Sequence, residues 1–561
     1  MKKLCIAFLC LSLIALLAGC GGKQAKSAEG GPVSTRENTI SACHSGEPNT
    51  IDPALNSAVD GAMYLEHLFE GLYKYADSGK SATPGLSYAQ AVPGTAAGAP
   101  QKTVNPDGTV TLIYTLRSGL KWSDGSDFTA QDIVYSWQRL VDPETAADYS
   151  YMIDMVVNAN EIMEDEMDKS ALGIKALSPT SLEVTLTFDC PFFDEIMCFP
   201  ATFPVKKSTI DKAGDQWTFS PETYISNGPY RLKEWVHNSY ILLEKNPYYY
   251  APVTGPEFIR YVLMDDENAM LAGFRSGEID FIEFFPADEM ASILGSGEAH
   301  IADYIGTYYI SFNNQRPPFD NANVRKAFNL AIDRNYIVEQ VSRRGEKPAG
   351  GFVPAGMTDV EVGSDFRATG GNYYGLTAAD YENNVAEAKR LLALAGYPDG
   401  RGFPVVEYTY NTADSHRAIG EALQNMWRTN LGVTVTMSNM DWAVFLDIRK
   451  KGQYTFARDG WIGDYNDPIG FLDMFITGGG NNNPQYASKE FDDLIAKVKG
   501  TAVQAERMKY MHEAEDLLLG EDMALSPIYF WTQPYAINSR IKNTFYTPLG
   551  YFFFMNSSIS N

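Results

Sequence analysis

The alternation of apolar and polar residues along the chain predicts an α/β protein built from interleaved strands and helices. A period of two, which is typical of half-buried strands, recurs at residues 38–42, 108–116, 181–188, 228–244, 258–264, 308–313 and 454–457. Apolar residues spaced three and four apart, which indicate the buried face of a helix, fill a segment that begins at Thr129 and the ranges 324–341, 383–395, 415–430 and 486–499. Because strands and helices alternate, we expect two lobes around a cleft.

The first twenty residues have the character of a secretory signal. Lys2 and Lys3 precede an apolar run over residues 4–17, which is too short for a spanning helix, and small residues lead to Cys20. Residues 17–20 resemble a bacterial lipobox, which implies removal of residues 1–19 and diacylglycerol on the Cys20 sulfur. Residues 20–37 are then a lipidated flexible tether, since 21–31 are mostly Gly, Ala, Lys and Ser. An ordinary signal peptide, or a core helix with a chance cysteine, is the alternative.

Composition and charge exclude several classes of function. The net charge of −25 weighs against a nucleic-acid partner and against electrostatic adhesion to an anionic membrane. The apolar content of 45% and charged content of 20% are those of a globular protein. The roughly 520 residues after the tether correspond to three or four domain-sized pieces. No later segment has eighteen uninterrupted apolar residues, so the sequence predicts no membrane-spanning helix.

Cysteine spacing and motif content give no sign of a metal site, a cofactor or a catalytic centre. Cys43, Cys190 and Cys198 remain after the tether, and the last two flank a short apolar segment, where a disulfide and buried free thiols fit equally well. Zinc-type spacings, a nucleophile elbow, a phosphate-binding loop and a dinucleotide fingerprint are all missing from the sequence. We expect no metal, no cofactor and no enzyme, and we interpret the acidic residues 265–267 as a solvated turn.

Seven short motifs follow one another in order and cover nearly all of the chain beyond the tether. The first motif is SGEP together with IDP (residues 45–48 and 51–53). The other six are LFEGL (68–72), LRSGLKWSDG (116–125), FTAQDIVYSW (128–137), NGPY (227–230), RSGEID (275–280) and NNQRPPF (313–319). In this order they resemble the family 5 solute-binding proteins of ABC transporters, and most closely the oligopeptide-binding members. The resemblance implies an α/β fold like that of periplasmic binding proteins, with two lobes, a hinge and a cleft, that closes on its ligand without chemistry.

The same resemblance implies the domain borders, the partners and the location. Residues 38–59, 206–305 and 531–561 would form a discontinuous lobe I, residues 60–205 an extra domain in the N-terminal lobe, and residues 306–530 lobe II. The partners would be an oligopeptide and ABC permease subunits with cytoplasmic ATPases. The protein would be a monomer outside the cytoplasm, held to the cell membrane only by its lipid, on the periplasmic side if an outer membrane exists. The segment 93–106, a predicted surface excursion, is longer than the family pattern, which leaves the preferred peptide length open.

The segment 457–468 carries the strongest candidate for ligand contact. It follows the predicted strand 454–457, and glycines at 460 and 463 would let a ligand backbone approach closely. Asp467 before Pro468 predicts a helix N-cap, whereas Asp464 lies upstream of that cap. A carboxylate at a strand end can pair with an ammonium group, and the resemblance places the anchor for the peptide α-amino group at Asp464. A solvated loop aspartate is the alternative.

The resemblance assigns further residues to the site. It implies that Arg458, whose planar fork suits a carboxylate, contacts the peptide C-terminus, and that Trp461 forms the wall of a side-chain pocket. His416, in the first turn of a predicted helix, would be a secondary carboxylate contact for longer peptides. Further lining positions are Trp442, Tyr149, Tyr529 and Glu47. A surface salt bridge for Arg458, a plain surface histidine at 416 and core packing of the aromatic rings are the alternatives.

Three other functions remain open at this point. A family member can bind a different solute, such as a dipeptide, a metal chelate or a sugar, although Asp464 together with Arg458 favours a zwitterionic peptide. A sensor or adhesin that keeps the peptide cleft has the same sequence pattern. A lipid-anchored hydrolase is the alternative from another class.

Overall fold

A computed structural model describes residues 33–44, 46–361 and 364–560 of the protein, and the folded unit discussed below begins at Arg36. The predicted signal peptide, Cys20 and most of the predicted tether lie outside the described residues. The side chains of Asp60, Trp442 and Ala443 also lie outside the description.

Strands occur along the whole folded unit. In chain order they are β1 Thr39–Cys43, β2 Tyr73–Thr83, β3 Leu86–Pro93, β4 Gln101–Val104, β5 Val110–Thr115, β6 Ile174–Ser178, β7 Ser181–Leu186, β8 Tyr230–Val236, β9 Tyr240–Lys245, β10 Phe258–Val262, β11 Phe281–Ile282, β12 His300–Phe312, β13 Lys347–Pro348, β14 Val406–Asn411, β15 Val435–Met440, β16 Phe456–Ile462, β17 Leu525–Ile537, β18 Ile541–Lys542, β19 Thr544–Tyr546, β20 Phe552–Phe553 and β21 Ser558–Ile559.

Helices alternate with these strands. They are α1 Val59–Leu68, α2 Ala130–Val141, α3 Ala159–Met163, α4 Phe193–Ile196, α5 Lys207–Ala213, α6 Glu267–Ser276, α7 Met290–Ser296, α8 Ala322–Leu330, α9 Arg334–Tyr336, α10 Phe366–Gly370, α11 Ala378–Leu394, α12 Asp414–Leu431, α13 Trp442–Lys450, α14 Ile469–Leu472, α15 Lys489–Lys499 and α16 Gln504–Glu515. Two wider π-helical segments, Ile337–Ser342 and Asp516–Glu521, continue α9 and α16.

One large mixed sheet runs through the folded unit, in the order β15-β14-β16-β12-β17-β11-β1-β10-β9-β8, with β13 on β17. Its two central strands, β12 and β17, are 13 residues long, which corresponds to about 40 Å each. The first part of β12 pairs with the end of β17, and the last part of β12 pairs with β16 as well as with the start of β17. A register shift between Asp303 and Thr307 separates the two parts. The two strands therefore join the two halves of the sheet.

Two four-stranded sheets stand apart from the large one. Strands β4, β5, β7 and β6 form one of them, and β2, β3, β19 and β20 form the other. The parallel pairing of β19 with β3 brings Phe545 opposite Ser87. The C-terminal strands thus extend a sheet that begins within residues 60–205, a pairing that the predicted domain borders do not include.

Several predicted elements are confirmed, and others differ in their ends. Helix α2 begins at the predicted place, with the capping box of Thr129 and Asp132, and α12 and β5 match their predicted ranges closely. The predicted helix 324–341 is broken into two helices. The first, α8, ends at Leu330, and the Asp333 side chain caps the second, α9, by accepting a hydrogen bond from the Tyr336 amide. The predicted excursion 93–106 contains the edge strand β4, whose side chains are all exposed. The strand predicted at 454–457 continues to Ile462.

Cys43, Cys190 and Cys198 are free and buried. Of the two alternatives for Cys190 and Cys198, the structure contains the buried thiols and not the disulfide. Burial raises the pKa of all three thiols. Since the thiolate is the reactive form, these side chains behave as small apolar core residues.

The acidic residues 265–267 lie at the surface, as the sequence predicts, with Asp265 and Asp266 exposed and Glu267 half-buried. The Asp266 side chain accepts a hydrogen bond of 2.9 Å from the Ala269 amide and caps α6. Glu267 lies 3.4 Å from Arg344 and forms an ion pair with it. This short run therefore leads into α6, and its last residue contacts Arg344 in the loop before β13.

Candidate functional site

The candidate ligand segment lies on β16, in the middle of one half of the large sheet. Its strand is paired with β12 on one side and with β14 on the other. Because successive side chains of a strand point to opposite faces, Arg458 and Trp461 lie on different faces of the sheet. Asp464 follows the end of the strand by two residues. The segment thus presents its candidate residues to two separate spaces.

Asp464 is a half-buried carboxylate that is held by tyrosine hydroxyls. Tyr151 donates a hydrogen bond of 3.1 Å to its Oδ2 atom, and the Tyr149 hydroxyl is a second group that favours the charged carboxylate. Burial raises the pKa of Asp464 to about 7, although the two hydroxyls act to lower it. No ion pair to Asp464 occurs among residues 33–44, 46–361 and 364–560. A cationic group of a ligand would supply the missing counter-charge.

Arg458 lies beside a larger cavity on the other face of the sheet. The cavity has a volume of about 750 Å³, and His416 and Tyr529 line it together with Arg458. The Arg458 guanidinium is 5.3 Å from the ring centroid of Tyr308. A planar cation next to an aromatic ring in a cavity of this size can bind a carboxylate through two parallel hydrogen bonds.

His416 lies in the first turn of α12 and lines the same cavity. Its Nδ1 atom and the Tyr308 hydroxyl form a hydrogen bond of 3.4 Å. Burial is the main cause that lowers the pKa of His416 to about 3, and the positive charge of Arg458 is the second cause. The imidazole is therefore neutral at physiological pH, and it would contact an anion by hydrogen bonding and not by charge.

Tyr529 forms part of an aromatic group next to Arg458. Its ring stacks on Tyr308 with 4.8 Å between the centroids, and the Trp531 ring meets Tyr308 edge-on at 6.2 Å. A Cβ atom at Gly460 would come within 2.4 Å of the Trp531 ring. The glycine at 460 therefore makes room for Trp531, whereas the approach of a ligand backbone at that position stays a prediction.

Trp461 belongs to a second, smaller cavity that adjoins Asp464. The indole Nε1 atom donates a hydrogen bond of 2.8 Å to the Gly470 carbonyl, which fixes the ring. Trp461, Tyr151 and Asp464 are among the residues that line this cavity of about 260 Å³. One edge of the indole is thus held by the hydrogen bond to Gly470, and the ring also lines the cavity.

Glu47 and Trp442 are placed differently from the residues above. Glu47 forms a 2.5 Å hydrogen bond with the Nδ1 atom of His237 and accepts a 2.7 Å hydrogen bond from the Asn238 amide. It lines neither the cavity at Arg458 nor the one at Asp464. Trp442 is the first residue of α13, and its side chain lies outside the described residues.

Asp467 contacts the first residue of α14, but the N-cap of this helix is Pro468, one residue later than predicted. Its Oδ1 atom accepts a hydrogen bond of 3.1 Å from the Ile469 amide. The same carboxylate is buried and forms two hydrogen bonds, of 2.9 and 3.1 Å, with the Arg507 guanidinium. The pattern of the sequence predicts the cap one residue early and contains no sign of the ion pair.

Three residues of the site were missed in the sequence. Tyr151, which contacts Asp464, is two residues from the predicted Tyr149, and that spacing is a signal that could have indicated it. Tyr308 and Trp531 lie on β12 and β17, and only the pairing of these strands brings them to Arg458. No group of His, Cys, Asp and Glu side chains that could hold a metal occurs in the described part of the chain. Among the same residues, no helix is both long and apolar enough to cross a membrane.

The fold and the site together define a two-lobed α/β binding protein. Two long strands join the halves of its sheet, and groups distant in the sequence meet at Asp464. Residues 54–483 match the bacterial extracellular solute-binding proteins, family 5 (middle region). The chain belongs to this family, and it is a solute-binding protein and not an enzyme.

Relatives and solved structures agree with this assignment. The chain is 34% identical to the periplasmic oligopeptide-binding protein OppA of Escherichia coli, over 94% of this chain and 92% of that protein. It is 32% identical to the dipeptide-binding protein DppE of Bacillus subtilis, over 98% of both chains. The crystal structure of Haemophilus influenzae OppA in complex with the peptide RPPGFSPFR superposes with a TM-score of 0.75 at 28% identity, covering 94% of this chain and 99% of that one. The fold is that of periplasmic binding proteins.

Proposed function

We propose that the protein captures oligopeptides in a closing cleft outside the cytoplasm and delivers them to an ABC permease. The observation that carries the proposal is the half-buried Asp464, which accepts a hydrogen bond from Tyr151 in a distant part of the chain and has no ion-pair partner among residues 33–44, 46–361 and 364–560. The one cation that every free peptide has is its α-amino group. A receptor for many peptides therefore needs a fixed anion for this group.

The rest of the peptide fits the two cavities. Arg458 would bind the terminal carboxylate, with the neutral His416 as a further hydrogen-bonding contact. Side chains would lie in the spaces of about 750 and 260 Å³, whose aromatic walls suit side chains of many types. The names of relatives that bind oligopeptides and dipeptides support this proposal over a metal chelate or a sugar.

We propose residues 38–59, 206–305 and 531–561 as lobe I, 60–205 as the extra domain and 306–530 as lobe II, with β12 and β17 as the hinge. Support comes from a contact between the extra domain and lobe II, here called the Phe192 contact. The rings of Phe192 and Tyr465 are parallel, with 5.1 Å between the centroids, and the Arg507 guanidinium lies 5.1 Å from the centroid of Phe192. These apolar groups come together when the lobes close.

The proposed ligand class is tested by incubating the purified protein with a mixture of peptides, metal chelates and sugars. We expect intact peptides of several lengths in the bound fraction, identified by mass spectrometry. In the variant Arg458→Ala, the bound fraction should contain less of those peptides whose length brings the terminal carboxylate to this residue. Peptide fragments in the mixture would indicate a hydrolase, and a bound fraction of sugars or chelates would contradict the peptide assignment.

We propose that diacylglycerol on Cys20 anchors the protein, as a monomer, to the outer side of the cell membrane. The support is the lipobox-like sequence at 17–20 and the tether after it, since each buried methylene contributes about 0.8 kcal/mol. Replacing Cys20 with serine should leave the precursor unprocessed or release the protein from membranes, as fractionation would detect. Normal processing with full membrane retention would contradict the anchor.

A further inference from the structure

The cavity of about 260 Å³ beside Asp464 has apolar walls and a charged floor. Its walls include Trp461, Met152, Met155, Met474 and Ile476. At about 30 Å³ per water molecule, its volume corresponds to eight or nine waters, which is room for one long side chain. Because Asp464 lies at its edge, a residue whose α-amino group binds there would direct its own side chain into this cavity.

The floor is formed by Asp154, Asp473 and Lys499, which all line the cavity. The Lys499 ammonium is 3.2 Å from the Asp473 carboxylate, and both side chains are about 30% exposed, at 31% and 28%. Asp154 comes from the other side of the cleft, within residues 60–205. The negative charges of Asp473 and Asp154 both raise the pKa of Lys499. The Lys499 ammonium thus forms an ion pair with Asp473 and interacts with Asp154 only over a longer distance.

The charges of this floor do not cancel. Once a peptide α-ammonium has neutralised Asp464, the two carboxylates and the single ammonium leave one negative charge in excess. Both carboxylates are partly buried, so water solvates their negative charges incompletely, and this burial raises the pKa of Asp154 and of Asp473. An additional cation at the floor would therefore be stabilised, and an additional anion would meet like charges in a poorly solvated space.

We propose that this cavity holds the first side chain of the bound peptide and selects a basic side chain over an acidic one. The inference rests on the proposed peptide function. The aliphatic stem of a lysine or arginine would pack against the methionines and Trp461, as long cationic side chains do, and its charged end would reach Asp473 and Asp154. Lys499 limits the preference, because it already supplies part of the counter-charge.

The test uses peptides that differ only in their first residue: lysine, the neutral norleucine, glutamine or glutamate. Titration calorimetry with the full protein should give at least tenfold tighter binding for lysine than for glutamate, with the neutral peptides between them. Asp473→Asn should reduce this ratio several-fold, and the matched variant Lys499→Met should increase it. A second peptide series that varies the last residue should be unaffected by either variant.

Each outcome decides the inference. Equal affinities for lysine and glutamate at the first position in the wild-type protein would overturn it, and would leave the peptide function intact if all four peptides bind. A ratio that is unchanged in Asp473→Asn, in a variant that melts like the wild type and still binds norleucine, would also overturn it. If no peptide of either series binds, both the inference and the proposed function are wrong.

Discussion

Replacing Asp464 with asparagine is expected to weaken the binding of every free peptide by about thirtyfold or more. The loss follows from the removal of one partner of a desolvated charge pair, which costs about 2–5 kcal/mol, at about 1.4 kcal/mol per decade of affinity. Asparagine keeps the size and the capacity to accept hydrogen bonds from Tyr149 and Tyr151, so the charge is the main change. Calorimetric titration with peptides of several sequences measures the effect.

Two controls separate the charge from a loss of structure. N-acetylated peptides should bind the wild-type protein weakly and the variant about as well as free peptides do. The wild-type affinity should fall as the pH drops below about 7, because burial raises the pKa of Asp464 to about 7 and the protonated carboxyl cannot pair with an ammonium. The fall approaches tenfold per pH unit, and the asparagine variant should lack it. Equal binding of free and acetylated peptides by the wild type would refute the anchoring role.

Replacing Asp467 with alanine is expected to lower the free energy of unfolding by about 3–5 kcal/mol. Its carboxylate and the Arg507 guanidinium form a buried pair, with side-chain exposures of 7% and 1%, and the substitution leaves a cation in a poorly solvated place. The loss of the hydrogen bond to the Ile469 amide adds to the effect. Urea unfolding, followed by circular dichroism, gives the change.

The double variant Asp467→Leu with Arg507→Met is the matched control. Because it removes both charges and keeps apolar volume, most of the stability should return. A loss below about 1 kcal/mol for Asp467→Ala would contradict the account, since a buried unpaired guanidinium costs more than that. A double variant as unstable as the single one would show that packing, and not charge, determines the effect.

Local signals in the sequence predict the elements whose determinants are close together in the chain. The capping box of Thr129 and Asp132 and the apolar face of α12 lie within a few residues of one another, so the pattern is sufficient there. The cap predicted at Asp467 is displaced by only one residue. Breaks within a helix are harder to predict from the sequence. The turn before Asp333 ends α8, although the apolar spacing continues through it.

Contacts between distant segments could not be predicted in this way. Nothing near Gly460 indicates that Trp531 covers it, and the sequence of α15 does not show that Lys499 reaches Asp473. Both contacts depend on how segments that are apart in the chain pack together. The resemblance to a family supplied Asp464, Arg458 and Tyr149, whereas the floor of the smaller cavity emerges only from the structure.

The Phe192 contact also bears on the balance between affinity and selectivity. Burying one aromatic ring contributes about 1.5–3 kcal/mol, and the parallel stack on Tyr465 adds about 0.5–1.5 kcal/mol. This free energy comes from the protein alone, so every ligand that permits closure receives the same share of it. The residence times of all such ligands lengthen by a common factor while the ratios between them stay fixed, which lets a receptor hold many different ligands tightly without preferring any one of them.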